Sequence, residues 1–563
     1  MKKLLLLLAT VAATFTANAQ IENAKDAVKN MGLGWNLGNT LDANTGSGAQ
    51  PGEASYWNCQ TLDSETCWGQ PKATAELIKM MKGAGFGAIR VPVTWYNHMD
   101  ADGKVDAAWM KRVHEVVDYV INEGLYCIIN VHHDTGADGG SFHSWIKADK
   151  DNYSTYKDKF ENLWKQIAEE FKTYDGKLLF EAYNEMLDAK NNWNAPANST
   201  SYEGLNGYAQ SFVDAVRATG GNNESRNLIV NTYAAANPEA PVKSLTLPKD
   251  KAENHTIVEV HAYPNFFTWT TPATLRTIAQ VKSDVDYIFK VLKDNVISKG
   301  VPAIIGEWGS YGVNNGAGET DYDLRKDMFF DFCKYFIEKA KANDVATFYW
   351  MGLTDGVYRN VPAFNQVDLA ELMAKTYHGD TFQGQFPVME KSSEMVCFEG
   401  NKTLTWGQSI NIAGDLFKDF GPTVQLNITY TQQEVPATEE EKYRGMQFWY
   451  GEWSEKINVI VDGKTYEADF QPFEHYGTPE GTAHTTAFTF DENTYNTILK
   501  KGLLFQGFGI IVTKATLSEP GSSSLSNVLN DSLSTEYFNL AGQRVASPAK
   551  GFYIQGGKKV YLK

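Results

Sequence analysis

The sequence predicts an α/β chain: a (β/α)8, or TIM, barrel followed by a smaller all-β sandwich and a short C-terminal β tail. Three observations lead there. From residue 31 onward, short apolar runs alternate with longer segments of helical periodicity, the pattern of a parallel sheet covered by helices. Past residue 384 the alternation gives way to short strands separated by Gly, Asn and Thr turns. A length of 563 residues is also too great for one ordinary core.

Eight runs read as parallel strands: 31–39, 86–92, 126–131, 177–183, 227–232, 256–261, 301–306 and 345–350. Helical periodicity fills 73–83, 108–123, 153–174 and 203–219, ahead of strands two to five. A doubly wound open sheet is the rival arrangement, and it calls for a glycine-rich phosphate turn after the first strand. Gly34 to Gly38 lacks that pattern, so no nucleotide is expected as ligand.

Composition narrows the partners. Apolar residues make up 43% and aromatic rings 13%, which is globular and rich in rings. A formal charge of −17 argues against nucleic acid or an anionic membrane surface, because both require clustered Lys and Arg. Residues 1–19 carry two lysines, a five-leucine run and Ala17-Asn18-Ala19, matching a secretory signal with its cleavage site, so the mature chain is expected to begin near Gln20 and to be exported. The alternative, a membrane anchor, is disfavoured by the shortness of the apolar stretch. The five cysteines show no metal-binding spacing, and their odd number leaves at least one free. Cys59 and Cys67 are near enough in sequence to pair, while Cys127 sits in an apolar strand and reads as packing.

In a barrel the reactive face is built where strands reach their C-terminal ends. Two strands end on an acid: LLFEAYNEML reaches Asn184-Glu185, and VPAIIGEWGS reaches Glu307 between Gly306 and Gly309. For one such dipeptide a helix cap or an edge ion pair is the ordinary reading. Two glutamates at the ends of separate buried strands are instead what paired-carboxylate chemistry needs. Around them the other strands end in Trp35-Asn36, Arg90 to Trp95, His132-His133-Asp134, His261-Ala262-Tyr263 and Trp350.

Together the motifs GWNLGNTLD, GFGAIRVPVTW, IINVHHD, YNE, VHAYP, IGEWG and FYWMG, in this order over residues 31–379, resemble glycoside hydrolase family five, a family of barrel glycosidases, and most of all its bacterial cellulase and xyloglucanase group. Met186 departs from the family, where many members place proline after the first acid. By this resemblance Glu185 is the general acid/base and Glu307 the nucleophile of a retaining, two-glutamate reaction, which implies carboxyl groups about 5 to 5.5 Å apart. Arg90 is expected to hold Glu307 ionised and lower its pKa, with Tyr263 donating to the same carboxylate. Asn36, His132, His133, Asn184 and His261 are the expected substrate-binding or tuning groups, and Trp350 the platform under a sugar ring, since a pyranose offers a ring its apolar CH face. Each has a structural reading as an ordinary hydrogen bonder or core residue.

Trp35, Trp95, Trp145, Trp193, Trp269 and Trp308 either extend the cleft or pack in the core. The adjacent His132 and His133 invite a metal, but neighbours on a strand point to opposite faces, so no metal and no cofactor is expected.

The expected organisation is a signal peptide at 1–19, the barrel hydrolase at 20–384, a β-sandwich at 385–517, a Gly/Ser linker at 518–530 and a tail at 531–563. The sandwich resembles accessory modules of bacterial polysaccharide hydrolases. It either binds glycan through Trp406, Trp449, Tyr450 and Trp453 or is a spacer whose rings are core. The tail, with YFNLAGQRV and GGKKVYLK, resembles the sorting segments of Bacteroidetes-type outer-membrane secretion systems, which makes secretion machinery an expected partner. The leading expectation is thus a secreted, monomeric endo-β-1,4-glucanase acting on cellulose-like, mixed-linkage or xyloglucan polysaccharides. Endo-β-1,4-mannanase or xylanase activity on the same barrel, and a non-catalytic glycan-binding protein, are the alternatives.

Overall fold

The computed structural model describes residues 21–44, 62–137, 144–196, 199–268, 270, 274–310, 326–389, 394–407, 409–433, 443–467, 469–473 and 481–519, with tail strands at 537–538, 544–545, 551–555 and 558–562. The chain divides into two compact units, residues 1–389 and 390–563.

The first unit is a closed parallel barrel whose eight strands follow one another in sequence order. They are β1 (Leu33–Asn36), β2 (Ala88–Val91), β3 (Tyr126–Asn130), β4 (Leu178–Glu181), β5 (Leu228–Asn231), β6 (Thr256–Ala262), β7 (Ala303–Trp308) and β8 (Ala346–Trp350). All eight coincide with runs read from the sequence. The first starts two residues later than expected because Met31 closes a helix, Ala24–Met31, and Gly32 turns the chain at φ 55°. The four anticipated covering helices are Ala75–Gly83, Ala107–Asn122, Lys150–Glu170 and Ser199–Ala218. Thr74, Asp106 and Asp149 cap the first three by accepting backbone N–H groups of the first turn, which explains why these helices begin where they do.

Each strand is buried on both faces. Outward residues such as Val91, Cys127, Ile129, Phe180 and Val260 pack under the helices. Inward residues Ala88, Ile128, Leu179, Ile229, Ile257, Ile304, Ala346 and Phe348 form a separate cluster with Ala24, Ala27, Val28 and Met31, so the N-terminal helix closes the bottom of the barrel. The cost of opening that end to water is thereby removed, and the other end carries the polar groups.

The second unit holds two four-stranded antiparallel sheets, one of β10 (Ile410–Ile412), β17 (Leu503–Phe508), β12 (Gly445–Tyr450) and β15 (Asp469–Phe470), the other of β16 (His484–Phe488), β11 (Gln425–Gln432), β18 (Ile510–Ser518) and β9 (Glu394–Thr403). A hairpin of β13 (Val459–Val461) and β14 (Lys464–Tyr466) accompanies them. The sheets meet face to face through Phe448 and Phe488, whose ring centroids are 4.7 Å apart, with Phe470 and Phe505 beside them. One feature departs from the expected all-β pattern: a ten-residue helix, Glu492–Lys501, is capped by Asp491. Strands β12 and β17 each contain a glycine, Gly445 and Gly507. The reason for the glycines is close approach: a Cβ on Gly507 would lie 2.0 Å from the Gly445 carbonyl, and one on Gly445 2.4 Å from that of Phe470. The tail strands form a further four-stranded sheet. Residues 1–20 and most of the expected linker lie outside the described residues, although Ser518 still belongs to β18. Among the described residues no helix is long and apolar enough to cross a membrane.

Candidate active site

Side-chain alternation along the strands decides what enters the barrel mouth. Arg90 on β2, Asn130 on β3, Glu181 on β4, Asn231 on β5 and Glu259 on β6 each lie two residues beyond an inward residue of the lower barrel, Asn36 on β1 stands in register with Arg90, and all are fully buried. On β7 the corresponding residue is Gly306. It has no side chain for a reason of space, since a Cβ there would lie 1.6 Å from Glu259 Oε1. The register between β6 and β7 shifts at this point, passing from Val260 opposite Ile305 to His261 opposite Glu307. A bulge of this kind re-aims the next side chain, and here the next side chain is Glu307.

Arg90 organises the set. Its Nε and Nη2 donate to Glu181 at 2.6 and 2.8 Å, Nη1 donates to Glu307 Oε1 at 2.8 Å and to Asn36 Oδ1 at 3.0 Å, and Nη2 also reaches Asn184 Oδ1 at 2.8 Å. Tyr263 donates its hydroxyl to Glu307 Oε2 at 2.8 Å. His261 stands between three carboxyls: Nδ1 is 2.8 Å from Glu185 Oε1 and 3.5 Å from Glu307 Oε2, while Nε2 is 3.2 Å from Glu259 Oε1. His132 Nε2 lies 4.0 Å from Glu307 Oε1, and its ring is parallel to that of Trp350 at 6.0 Å. A carboxylate oxygen of Glu185 lies within 4.8 Å of one of Glu307.

Every site residue anticipated from the sequence therefore falls at this end of the barrel, with differences in detail. Asn36 does not face the cleft: fully buried, it donates to the Gly306 and Phe348 carbonyls and accepts from Arg90, so it fixes the arginine. The two histidines were expected to point apart. Their rings instead meet edge to face at 4.5 Å, because β3 ends at Asn130 and strand alternation no longer governs residues 132 and 133. His133 lies 3.9 Å from Asp42 and 5.3 Å from the Trp68 ring. Of the tryptophans suggested for an extended cleft, Trp35, Trp95, Trp145 and Trp308 are core, Trp193 is 54% exposed and Trp269 lies outside the described residues.

The electrostatics follow from burial and pairing. Burial works against the charge on Arg90, but the carboxylates of Glu181, Glu259 and Glu307 outweigh it and hold the guanidinium protonated. Glu181 is held below the usual carboxylate range despite burial, through Arg90 and Asn130. The Glu307 result differs from the sequence expectation: burial moves it upward overall, with His261, Arg90 and Tyr263 pulling it down and Glu185 pushing it up. His132 is kept neutral, first by burial and then by the positive charge of its neighbours. Sequence reasoning missed Asn130, Glu181, Asn231 and Glu259. The signal was present, as each is a polar residue at an inward position of an apolar strand, but attention to strand ends passes over it.

Among the described residues two groups of side chains lie close enough to hold an ion, Asp42 with His132 and His133, and Glu185 with His261 and Glu307. In the first, both Asp42 oxygens already accept N–H groups, from Asn39 and Thr40. In the second, the same atoms form the hydrogen bonds just described. Cys67 is disulfide-bonded, with Cys59 outside the described residues, and Cys127 and Cys397 are free.

A barrel whose mouth gathers two close carboxyls, an arginine, a tyrosine and histidines defines a glycoside hydrolase of the double-carboxylate class. The comparisons agree: residues 50–354 match the model of cellulase (glycosyl hydrolase family 5), and the chain belongs to that family. Endoglucanase B of Neocallimastix patriciarum is 35% identical over 364 residues, covering 63% of this chain and 71% of that protein. A broad-specificity endoglucanase from an uncultured bacterium is 53% identical in structure-based alignment, with a TM-score of 0.58 over 64% of this chain and 96% of the other. A family 5 enzyme from Prevotella bryantii, solved as a mutant with a xyloglucan tetradecasaccharide, is 44% identical with a TM-score of 0.56, covering 63% of this chain and 99% of its own.

Proposed function

We propose that the protein is a retaining endo-β-1,4-glucanase that cuts internal bonds of β-glucans, with Glu307 as nucleophile and Glu185 as general acid/base. The observation that carries the reading is the approach of the Glu185 and Glu307 carboxylate oxygens to within 4.8 Å. An inverting enzyme needs about 6.5–9.5 Å between carboxyls to seat a water, whereas a nucleophile and an acid acting across one bond need about 5–5.5 Å. In the first step a Glu307 oxygen attacks the anomeric carbon while Glu185 gives its proton to the departing glycosidic oxygen. In the second, Glu185 takes a proton from water, whose oxygen displaces Glu307. Arg90 and Tyr263 each donate to Glu307 and favour its ionised form. In this reading Asn184 meets the 2-hydroxyl, His132 and His133 other hydroxyls, and Trp350 the apolar face of the sugar.

Support for a glucan comes from the Neocallimastix endoglucanase, and support for a branched one from the xyloglucan bound by the Prevotella relative. Cellulose-like chains, mixed-linkage glucan and xyloglucan are accordingly the proposed substrates. The sandwich is proposed to hold the same polymer through its exposed Trp406 and Trp453. Export is proposed from the leader-like N-terminus and the sorting-like tail.

The test is product analysis on carboxymethylcellulose, mixed-linkage glucan, xyloglucan, mannan and xylan with the wild type, Glu185→Gln and Glu307→Gln. Short oligosaccharides from the glucans, with at least about a thousandfold loss of kcat in Glu307→Gln, are expected. A loss below about tenfold there would remove Glu307 as nucleophile. Preferential cleavage of mannan or xylan would leave the glutamates in place and replace the substrate.

A further inference from the structure

Glu259 is a buried acid to which the mechanism above gives no task. Glu259 is fully buried on β6, one oxygen is 3.2 Å from His261 Nε2 and 3.5 Å from Arg90 Nε, and the other, Oε2, has no hydrogen-bond partner among the described residues. Space for this carboxyl exists only because residue 306 is glycine. The other nitrogen of the same imidazole is 2.8 Å from Glu185. Two carboxyls are thus joined through one ring, Glu259 to Nε2 and Nδ1 to Glu185.

Building on the reading of Glu185 as the acid/base, we propose that Glu259 is a positioning residue that acts on Glu185 through His261, the three side chains holding one mobile proton whose release at high pH is governed by the charge of Glu259. Counting protons makes the unit explicit. With one proton beyond the neutral-imidazole tautomer, three arrangements share the same total. The proton is on Glu259, donated to Nε2 while Nδ1–H is donated to an ionised Glu185. It is on the ring, as imidazolium between two carboxylates. Or it is on Glu185, donated to Nδ1 while Nε2–H is donated to ionised Glu259. Exchange among them moves protons along existing hydrogen bonds and requires no other reactant. Only the last arrangement is loaded for glycosidic cleavage. Titrations so linked belong to the group and not to one member.

The surroundings favour retention of that proton. An ionised Glu259 with a bare buried oxygen is costly, so a proton nearby is favoured. Glu181 on β4 adds a second negative charge, Arg90 on β2 opposes both, Asn231 on β5 is neutral, Glu307 on β7 faces Nδ1 at 3.5 Å, and His132, neutral, stands on the far side of Glu307. Burial, reinforced by Glu181, pushes Glu259 up to about 7. Burial works against a charged His261, yet Glu307, Glu185 and Glu259 carry it up to about 10.

The experiment is kcat/KM against pH for the wild type and Glu259→Gln, full-length, on a soluble mixed-linkage glucan and on an aryl β-cellobioside whose leaving group needs no acid. Glutamine keeps the shape and loses the charge, so the ring and Glu185 hold the proton less tightly. The alkaline limb on the glucan is expected to move to lower pH by about one unit or more, roughly a tenfold loss at a fixed alkaline pH, with no such displacement on the aryl substrate. A limb that stays in place, whether activity is unchanged or lowered equally at every pH, reduces Glu259 to a packing role and overturns the proposal, as does a limb moved to higher pH or a displacement shared by both substrates. Nitrogen-15 NMR of the imidazoles in wild-type protein decides the matter if the variant does not fold: His261 is expected to lose its proton well above the ordinary histidine value of about 6.5, and titration near that value overturns the proposal. Glu185→Gln on the same two substrates separates the readings, because equal losses on both would remove Glu185 as acid without reference to Glu259.

Discussion

Inside the barrel the lower ring of side chains is aliphatic, with Ile128, Leu179, Ile229, Ile257 and Ile304, whereas the ring two residues further along the same strands is Asn130, Glu181, Asn231, Glu259 and the glycine at 306. Burial and spacing are shared and, apart from the bulge at Gly306, so is the backbone, so residue type sets most of the difference. The lower ring excludes water and gains dispersion and hydrophobic free energy, and the upper ring desolvates charges at a cost that pairing only partly returns. What that cost secures is Arg90 fixed by Glu181 and Asn36 and aimed at Glu307. The polar ring is therefore better read as a support for chemistry than as a source of stability.

Removing Arg90 breaks the comparison most severely. Arg90→Met leaves Glu181, Glu259 and Glu307 buried together without their shared cation, and breaking such a set costs about 3–5 kcal/mol. Equilibrium denaturation of the variant should show a loss of that order at neutral pH, smaller near pH 5 as the carboxyls take up protons, together with near-complete loss of glucan hydrolysis. A variant as stable as the wild type at pH 7 would mean that the upper ring does not depend on the arginine.

The lower ring should behave in the opposite manner. Leu179→Ala removes a fully buried aliphatic side chain and is expected to cost about 2–5 kcal/mol, while kcat/KM, measured where the protein remains folded, stays within about threefold and the pH–rate limbs do not move. A displaced limb would show that the rings are coupled.

The same contrast explains what the sequence disclosed. The lower ring and the strands that carry it were legible as apolar runs of the right length in the right order, and Glu185 and Glu307 were legible because polar residues at strand ends break such runs. Glu181 and Glu259 were not, because one charged residue inside an apolar run reads as an exception unless strand alternation shows it facing inward beside Asn130 and Asn231. For Trp35, Trp95 and Trp308 the sequence left cleft and core both open, because aromatic character suits either, and burial in the hydrophobic core decides for packing. The bulge at Gly306 depends on the carboxyl of another strand, and no local pattern records that.

The mildest test concerns the acid side, at the rim of the polar ring. His132 is buried and kept neutral first by burial, with the positive charges of Arg90 and His261 acting in the same direction. For a base whose folded-state pKa is depressed, the unfolded chain binds the extra proton below about pH 6.5 and the folded protein does not, so stability rises with pH across that window and is lost as pH falls below it. Between pH 6.5 and 5 this amounts to about 2 kcal/mol for one histidine. His132→Gln has no group to titrate there, so its stability should fall less steeply with acidification, by close to one proton in the slope, whatever its stability at pH 7. Urea midpoints taken at half-unit steps from pH 7 to 5 read this directly. Parallel curves for the two proteins would show that His132 takes its proton in the folded state too, and that the polar ring does not impose neutrality on its rim.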